Sequence, residues 1–265
     1  MSFERHEAGA LRYYTAPVID TPHAFTTRLG GVSAGHLASL NLSVRRGDSE
    51  ENVRENWRRL AEISGMHLDR AVYARQIHSR EVRIVTSADA QAPWLEPQFE
   101  CDGFVTNEPG LPVAVFMADC LPVLLCDRKH GVAAAVHCGW RSSVADILGQ
   151  AVGKMASLGA KPADISAAIG PGIGKCCFEV GPEVVSAARA MLGREIPDLV
   201  RPGEGDRAFL DLKAVNAERL TQLGLNPGRI AVSDLCTMCN SDEFWSHRKT
   251  NGRRGVQTAV IEIEI

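Results

Sequence analysis

Residues 117–141 read Met-Ala-Asp-Cys-Leu-Pro-Val-Leu-Leu-Cys-Asp-Arg-Lys-His-Gly-Val-Ala-Ala-Ala-Val-His-Cys-Gly-Trp-Arg, and the fold turns on how this stretch pairs with itself. Two apolar runs, Leu121–Cys126 and Val132–Val136, flank the polar segment Asp127-Arg128-Lys129-His130-Gly131. That is the pattern of a β-hairpin. Asp119-Cys120 precedes the first strand and His137-Cys138 ends the second, so imidazole and thiol groups gather at one end. Register decides whether they meet. A four-residue loop (128–131) sets His137 opposite Pro122, with Cys120 diagonal to it on the same face at roughly 7 Å. A three-residue loop sends the two to opposite faces. An antiparallel hairpin at the centre also excludes a purely parallel, doubly wound sheet.

At 265 residues the chain can bury a substantial core. No repeat, low-complexity run or linker interrupts it, which favours a single domain across 1–265. A net charge of −3 gives no electrostatic case for nucleic acid or an anionic membrane. The N-terminus lacks a basic region followed by an apolar run, and no apolar stretch approaches the ~18 residues of a membrane span. A cytoplasmic protein is therefore expected. There the eight cysteines would be core residues, metal ligands or nucleophiles rather than a disulfide framework.

Strands are expected at 11–15, 23–27, 103–106, 112–117, 165–169, 229–234 and 256–263, with an extended segment over 73–86. Asp48 is placed to cap a helix through Ile63, and Ser143 one continuing through Leu158. Pro182 opens a helix closed by Gly193, and Asp211 caps one closed by Gly224. The fold class is thus α/β in the broad sense, α+β strictly: a mixed, largely antiparallel sheet layered with about four helices.

Several motifs fail on context. Gly31-Val32-Ser33-Ala34-Gly35 has nucleophile-elbow spacing, but no helix follows the serine. The glycines of 170–174 lack dinucleotide spacing, and there is no HExxH or deaminase HxE with PCxxC. Cys236-Thr237-Met238-Cys239 is a lone CxxC without a second pair at zinc-ribbon spacing, so it carries little weight as a metal or redox site. The loop Thr26–Gly35 joins one arginine, Arg28, to glycines and hydroxyls, a composition suited either to an anion or to a solvated turn. His78, Cys120 and His137 would suit Zn²⁺, three protein ligands leaving a fourth position open. Spacing alone does not single out His78 from eight histidines.

A chain-long set of motifs then narrows the reading. In order they are His23-Ala-Phe-Thr-Thr-Arg28, Gly30–Gly35, Ser39-Leu40-Asn41-Leu42, Gly47-Asp48, Gln76-Ile77-His78, Cys101-Asp102-Gly103, Ala118–Val123, His137-Cys138-Gly139-Trp140-Arg141, Ile169-Gly170-Pro171 and Glu179-Val180-Gly181. Together they resemble the bacterial family first catalogued as laccase-like polyphenol oxidoreductases and later described as purine nucleoside phosphorylase/adenosine deaminase enzymes. The departures are Trp57 and Ser142 in place of an arginine and a glycine, Gly172 for a frequent cysteine, and Phe244-Trp245-Ser246-His247-Arg248 for Phe-Phe-Ser-Tyr-Arg.

The resemblance implies zinc held by His78, Cys120 and His137, one ion per chain, with Asp119 beside it among the catalytic residues. It implies phosphorolysis of adenosine, inosine and methylthioadenosine, and hydrolytic deamination of adenosine. Zinc would lower the pKa of a bound water to roughly 7. Arg28 and Ser33 of the 26–33 loop are expected to cradle phosphate, with Asn41, Gln76 and Arg248 as further substrate contacts. The implied partners are purine nucleosides and inorganic phosphate, the implied assembly a monomer or small homo-oligomer. Three alternatives stay open: copper-dependent phenol oxidation at the same ligands, a Cys120–His137 thiol hydrolase, and editing of wrongly built peptidoglycan precursors.

Overall fold

The hairpin closes with the four-residue loop. Leu121 pairs with Cys138, Pro122 with His137 and Asp127 with Val132, leaving residues 128–131 as the turn. Register alone therefore sets His137 on the face that Cys120 approaches.

The computed structural model describes residues 2–264. Its strands are β1 (Glu4–Ala8), β2 (Leu11–Thr15), β3 (His23–Thr26), β4 (Val82–Ile84), β5 (Gly103–Thr106), β6 (Val113–Met117), β7 (Leu121–Asp127), β8 (Val132–Cys138), β9 (Ser166–Ile169), β10 (Glu179–Val180), β11 (Val200–Pro202), β12 (Ala208–Leu210), β13 (Ile230–Val232) and β14 (Gln257–Ile261). Its helices are α1 (Glu50–Ser64), α2 (Trp140–Val144), α3 (Ile147–Ser157), α4 (Pro182–Leu192), α5 (Leu212–Gln222) and α6 (His247–Thr250).

Two large sheets carry the fold. One is antiparallel throughout, in the order β1-β2-β3-β14-β6. The other runs β13-β9-β7-β8-β5-β4, antiparallel at its centre and parallel only in its two edge pairs. A small third sheet joins β10, β12 and β11. Period-2 alternation explains the layering. Leu124, Ala133 and Ala135 face Phe25, Val115 and Ala259 across the space between the two sheets. Their neighbours Val123, Leu125, Val132, Ala134 and Val136 face Ile147, Leu148, Ala151, Val184 and Val215 on the helices behind. Ala24, Ala114 and Val260 turn outward onto Val53, Trp57 and Leu60 of α1. Four layers result: helix, sheet, sheet, helices. With both faces covered, every residue of β7 and β8 is buried, which is why those strands read as continuous apolar runs. Each buried Val or Leu there contributes about 1.5–3 kcal/mol.

The site forms where the chain passes from one sheet to the other. β6 belongs to the first sheet and β7 to the second, so Ala118-Asp119-Cys120 is the corner between them. Asp119 turns it with a φ of 85°.

Two helix starts differ from expectation. Ser49, not Asp48, caps α1, its hydroxyl accepting from the Asn52 amide at 3.1 Å, because the Asp48 carboxylate is already held by Ser33, Asn41 and Asn52. The helix expected from Ser143 is two. α2 begins at Trp140, directly after β8, and Asp146 at φ 64° breaks the run and caps α3. Arg219 of α5 grips that carboxylate with two hydrogen bonds, 2.8 and 2.7 Å, holding the break open. The extended segment over 73–86 contains only β4 as regular strand. Its first part is instead pinned by Gln76, whose amide both donates to Phe116 O (2.7 Å) and accepts from Phe116 N (2.6 Å), imitating a strand partner for β6.

The glycine-rich loop packs flat on α1, and Gly31 shows how tightly. A Cβ there would land on the Ser39 carbonyl and Leu40 Cα, and 2.6 Å from Asn56 Oδ1. Gly35, at φ 61°, has open space around it. We expect Gly31→Ala to destabilise the protein by more than about 3 kcal/mol, since backbone cannot step aside. Gly35→Ala should cost only the left-handed strain of about 1–2 kcal/mol. Urea unfolding measures both, and equal losses would contradict this packing.

Candidate metal centre

Three elements deliver the ligands. His137 ends β8, Cys120 sits at the corner before β7, and His78 lies in the loop ahead of β4. One side-chain donor atom from each lies within 4.8 Å of the others. Cys120 Sγ is 3.8 Å from His78 Nε2, and the two imidazoles cross at 77° with centroids 4.9 Å apart. Tetrahedral zinc with Zn–S of about 2.3 Å and Zn–N of about 2.0–2.1 Å separates sulfur from nitrogen by about 3.5 Å. The Cys120–His78 pair is within a few tenths of an ångström of that spacing, and His137 completes the set within 4.8 Å. Gly139 closes the back: a Cβ there would sit 2.9 Å from His78 Cδ2 and 3.3 Å from Cys120 Sγ.

Asp102, wholly buried, organises the trio. Its Oδ1 accepts from His137 Nδ1 (2.8 Å) and from the His78 amide (3.0 Å). Its Oδ2 accepts from the Ile77 amide (3.2 Å) and from both the amide and hydroxyl of Ser79 (2.7 and 2.9 Å). One carboxylate thus holds the His78 loop, where His78 itself has a φ of 58°, and directs Nε2 of His137 toward Cys120. Carboxylate–histidine pairs of this kind fix the tautomer and orientation of a metal-binding imidazole. Burial pushes the Asp102 carboxyl up, but the hydrogen bond and charge of His137 hold it below its ordinary range. Burial also pushes the Cys120 thiol up, and His137 outweighs that, bringing it to about 6. His137 is lowered by burial and raised further by Cys120 and Asp102, to about 9. Each partner thus favours the charged form of the other, thiolate at Cys120 and imidazolium at His137.

The trio lies in a cleft of about 290 Å³ lined by Tyr73, Gln76 and Phe116 and by the guanidinium-bearing Arg45, Arg46, Arg75 and Arg254. Arg45 and Arg75 are paired with Glu96 and Glu100. Among the described residues no carboxylate pairs with Arg46 or Arg254, and buried Arg254 Nε has no hydrogen-bond partner. Burial, then the charge of Arg46, brings the Arg254 pKa down to about 10. Both guanidiniums line the cleft; that of Arg254 is buried and Arg46 is exposed.

The remaining expected site residues have other occupations. Arg28 does not line the cleft: it stacks on Trp245 at 4.0 Å and donates to the Ala38 (2.8 Å) and Ser241 (2.9 Å) carbonyls. Ser33 and Asn41 both donate to Asp48, at 2.6 and 2.9 Å, in the polar network beneath the glycine loop. Gln76 lines the cleft with its amide committed to Phe116. Asp119 is a clasp rather than a free base, accepting from Thr237 Oγ1 (2.6 Å) and the Arg248 amide (2.7 Å). Arg248 reaches the Glu179 carbonyl (3.1 Å), while Phe244 and Trp245 are core residues. Asp102, Arg46 and Arg254 went unassigned in the sequence reading. Asp102 stood inside a family motif, but nothing in its spacing ties it to His137.

Residues 22–264 match the model of the family described as multi-copper polyphenol oxidoreductase laccase. The chain belongs to that family. Relatives include purine nucleoside phosphorylase YlmD of Geobacillus stearothermophilus, 34% identical with 98% of this chain and 96% of that one covered. A purine nucleoside phosphorylase of Deinococcus radiodurans is 40% identical over 96% of this chain and 94% of its own. The crystal structure of the Geobacillus YlmD superposes with a TM-score of 0.89 over 99% of both chains. The family's multi-copper label does not suit the donors on hand. A multicopper oxidase needs several clustered histidines, and the metal-capable groups among the described residues hold at most two.

Asp102→Asn keeps the shape and removes the charge, so we expect zinc affinity to fall about 10- to 100-fold in chelator competition. Unchanged affinity would show that Asp102 does not orient His137. In metal-free protein, alkylation of Cys120 should switch on as pH rises through about 6. In His137→Ala that midpoint should move up toward the ordinary thiol value of about 8.5. Bound metal should suppress the reaction.

Proposed function

We propose that this chain is a zinc-dependent purine nucleoside enzyme. It would cleave adenosine, inosine and methylthioadenosine with phosphate to base and ribose 1-phosphate, and deaminate adenosine by hydrolysis. The observation that carries the proposal is the convergence, in one cleft, of a three-donor His₂Cys set and two guanidiniums without carboxylate partners. The names of the relatives supply the substrate class.

Zinc bound by His78, Cys120 and His137 would supply a Lewis acid with one open coordination position. The chain's own groups do the rest. Asp102 keeps His137 in one tautomer and the His78 loop in its strained turn. Arg46 and Arg254 would bind and orient phosphate, offering charged donors in a partly desolvated wall where such bonds are strongest. Phe116 and Tyr73 provide aromatic surface against which a purine can lie. Arg28 and Ser33 support this assembly from outside, through the loop packed on α1. We place the protein in the cytoplasm; no helix among the described residues is long and apolar enough to cross a membrane.

The donor set also suits copper, so phenol oxidation stays a second reading. The deciding experiment incubates zinc-loaded protein with adenosine, with and without phosphate. With phosphate, adenine and ribose 1-phosphate should form; without it, inosine. Phenol oxidation by the copper-loaded protein, with no change in adenosine, would overturn the proposal. A hydrogen bond to a charged group contributes about 1.5–3 kcal/mol. Arg254→Ala or Arg46→Ala should therefore raise the KM for phosphate about 10- to 100-fold and leave deamination within about threefold. Arg28→Ala should lower stability and both activities together.

A further inference from the structure

A second cluster of soft ligands lies outside this cleft. Cys176 and Cys177, in the loop before β10, converge on Cys236 and Cys239 of the CxxC, and all four sulfurs lie within 4.8 Å of one another. Cys239 Sγ is 3.5 Å from Cys176 Sγ and 3.4 Å from Cys177 Sγ. None of the eight cysteines is in a disulfide. Four thiolates around tetrahedral zinc at about 2.3 Å stand about 3.8 Å apart, and the Cys239 pairs at 3.5 and 3.4 Å come close to that spacing. The missing partner of the CxxC is thus an adjacent Cys-Cys pair some sixty residues upstream, a spacing no ribbon pattern would flag.

We infer that Cys176, Cys177, Cys236 and Cys239 form a structural zinc site, independent of the His78–Cys120–His137 centre.

Burial and the neighbouring sulfurs push the Cys176 and Cys177 thiols up, whereas backbone amides favour a thiolate at Cys236. The Gly174 amide donates to Cys236 Sγ at 3.3 Å. Burial raises the Cys236 thiol, but the amides of Gly174, Cys239 and Met238 outweigh it and leave the pKa below the ordinary value. Lys213 is buried, its ammonium held by the Ser233 (2.6 Å) and Leu235 (2.9 Å) carbonyls just ahead of the CxxC. Burial lowers its pKa, and Cys236 is the foremost negative group offsetting that, followed by Asp211, Asp234 and Cys176. A buried cation suits the double negative charge of a zinc tetrathiolate. Loading would displace up to four protons from the thiols, with no change in oxidation state.

The position gives the site a purpose. The 170–178 loop and the CxxC segment already touch through Thr237 N to Gly172 O (3.1 Å), and Thr237 Oγ1 holds Asp119, the residue before Cys120. A zinc ion joining Cys176 and Cys177 to Cys236 and Cys239 would clamp the two segments that fix the corner of the catalytic cleft.

The test is elemental analysis of protein prepared under reducing conditions with zinc. The parent should hold two ions per chain, and Cys236→Ser/Cys239→Ser should hold one. His78→Ala/His137→Ala should also hold one, so failure of either centre is read separately. Should the cysteine variant not fold, cobalt-substituted parent protein gives the answer. A tetrathiolate produces intense sulfur-to-cobalt charge-transfer bands, and these should persist in His78→Ala/His137→Ala. Zinc content unaffected by Cys236→Ser/Cys239→Ser overturns the inference, as does loss of all thiolate–cobalt absorption with His78→Ala/His137→Ala. Disulfide-linked cysteines in reduced, zinc-supplied protein would overturn it as well.

Discussion

One buried carboxylate holds the candidate metal centre of this molecule together. Asp102 ties the hairpin, through His137, to the loop that carries His78, and five donors converge on its two oxygens. A buried carboxylate is tolerable only when its acceptor sites are filled, and here they are filled by the groups that must be positioned. Losing one of the five leaves a charged group under-satisfied, so the site is held as a unit. The left-handed backbone at His78 follows, because three consecutive amides can reach one carboxylate only if the chain curls around it.

The sheets supply the other half of the arrangement. β7 and β8 are buried on both faces, and a slip of one residue would send His137 to the opposite face, away from Cys120. The corner from β6 to β7 then brings Cys120 in from the neighbouring sheet, and the Asp119 side chain locks that corner to the 237–248 segment. The candidate metal ligands therefore come from a junction between layers, where a few residues of backbone are free of ladder hydrogen bonds and can take unusual conformations.

Much of this was legible in the chain. The hairpin follows from two apolar runs and a polar spacer, while the choice between a four- and a three-residue loop, and with it the pairing of His137 with Pro122, needed the structure. Helices α4 and α5 begin and end where Pro182, Gly193 and Asp211 place them. What escaped are long-range partnerships. The composition of the Arg28 loop suited either an anion or a solvated turn, and the structure answers its charge with the nearby Ala38 carbonyl and with the Ser241 carbonyl and Trp245 face far along the chain. Arg46 and Arg254 drew no reading at all, since only the fold brings residues 208 positions apart to one cleft. Asp48 read as a cap and Asp146 as mid-helix, because their side-chain partners at Ser33 and Arg219 lie 15 and 73 residues away. The cysteine cluster was invisible for the same reason.

The most direct test of the account is an anomalous-difference map from crystals of the zinc-loaded protein, measured across the zinc absorption edge. The account predicts a peak about 2.3 Å from Cys120 Sγ and about 2.0–2.1 Å from Nε2 of both His78 and His137. The fourth position should face Arg46 and Arg254, with Asp102 bonded to His137 rather than to the ion. Fully loaded protein with no peak among these three side chains, or with Asp102 bound directly to the metal, would contradict it.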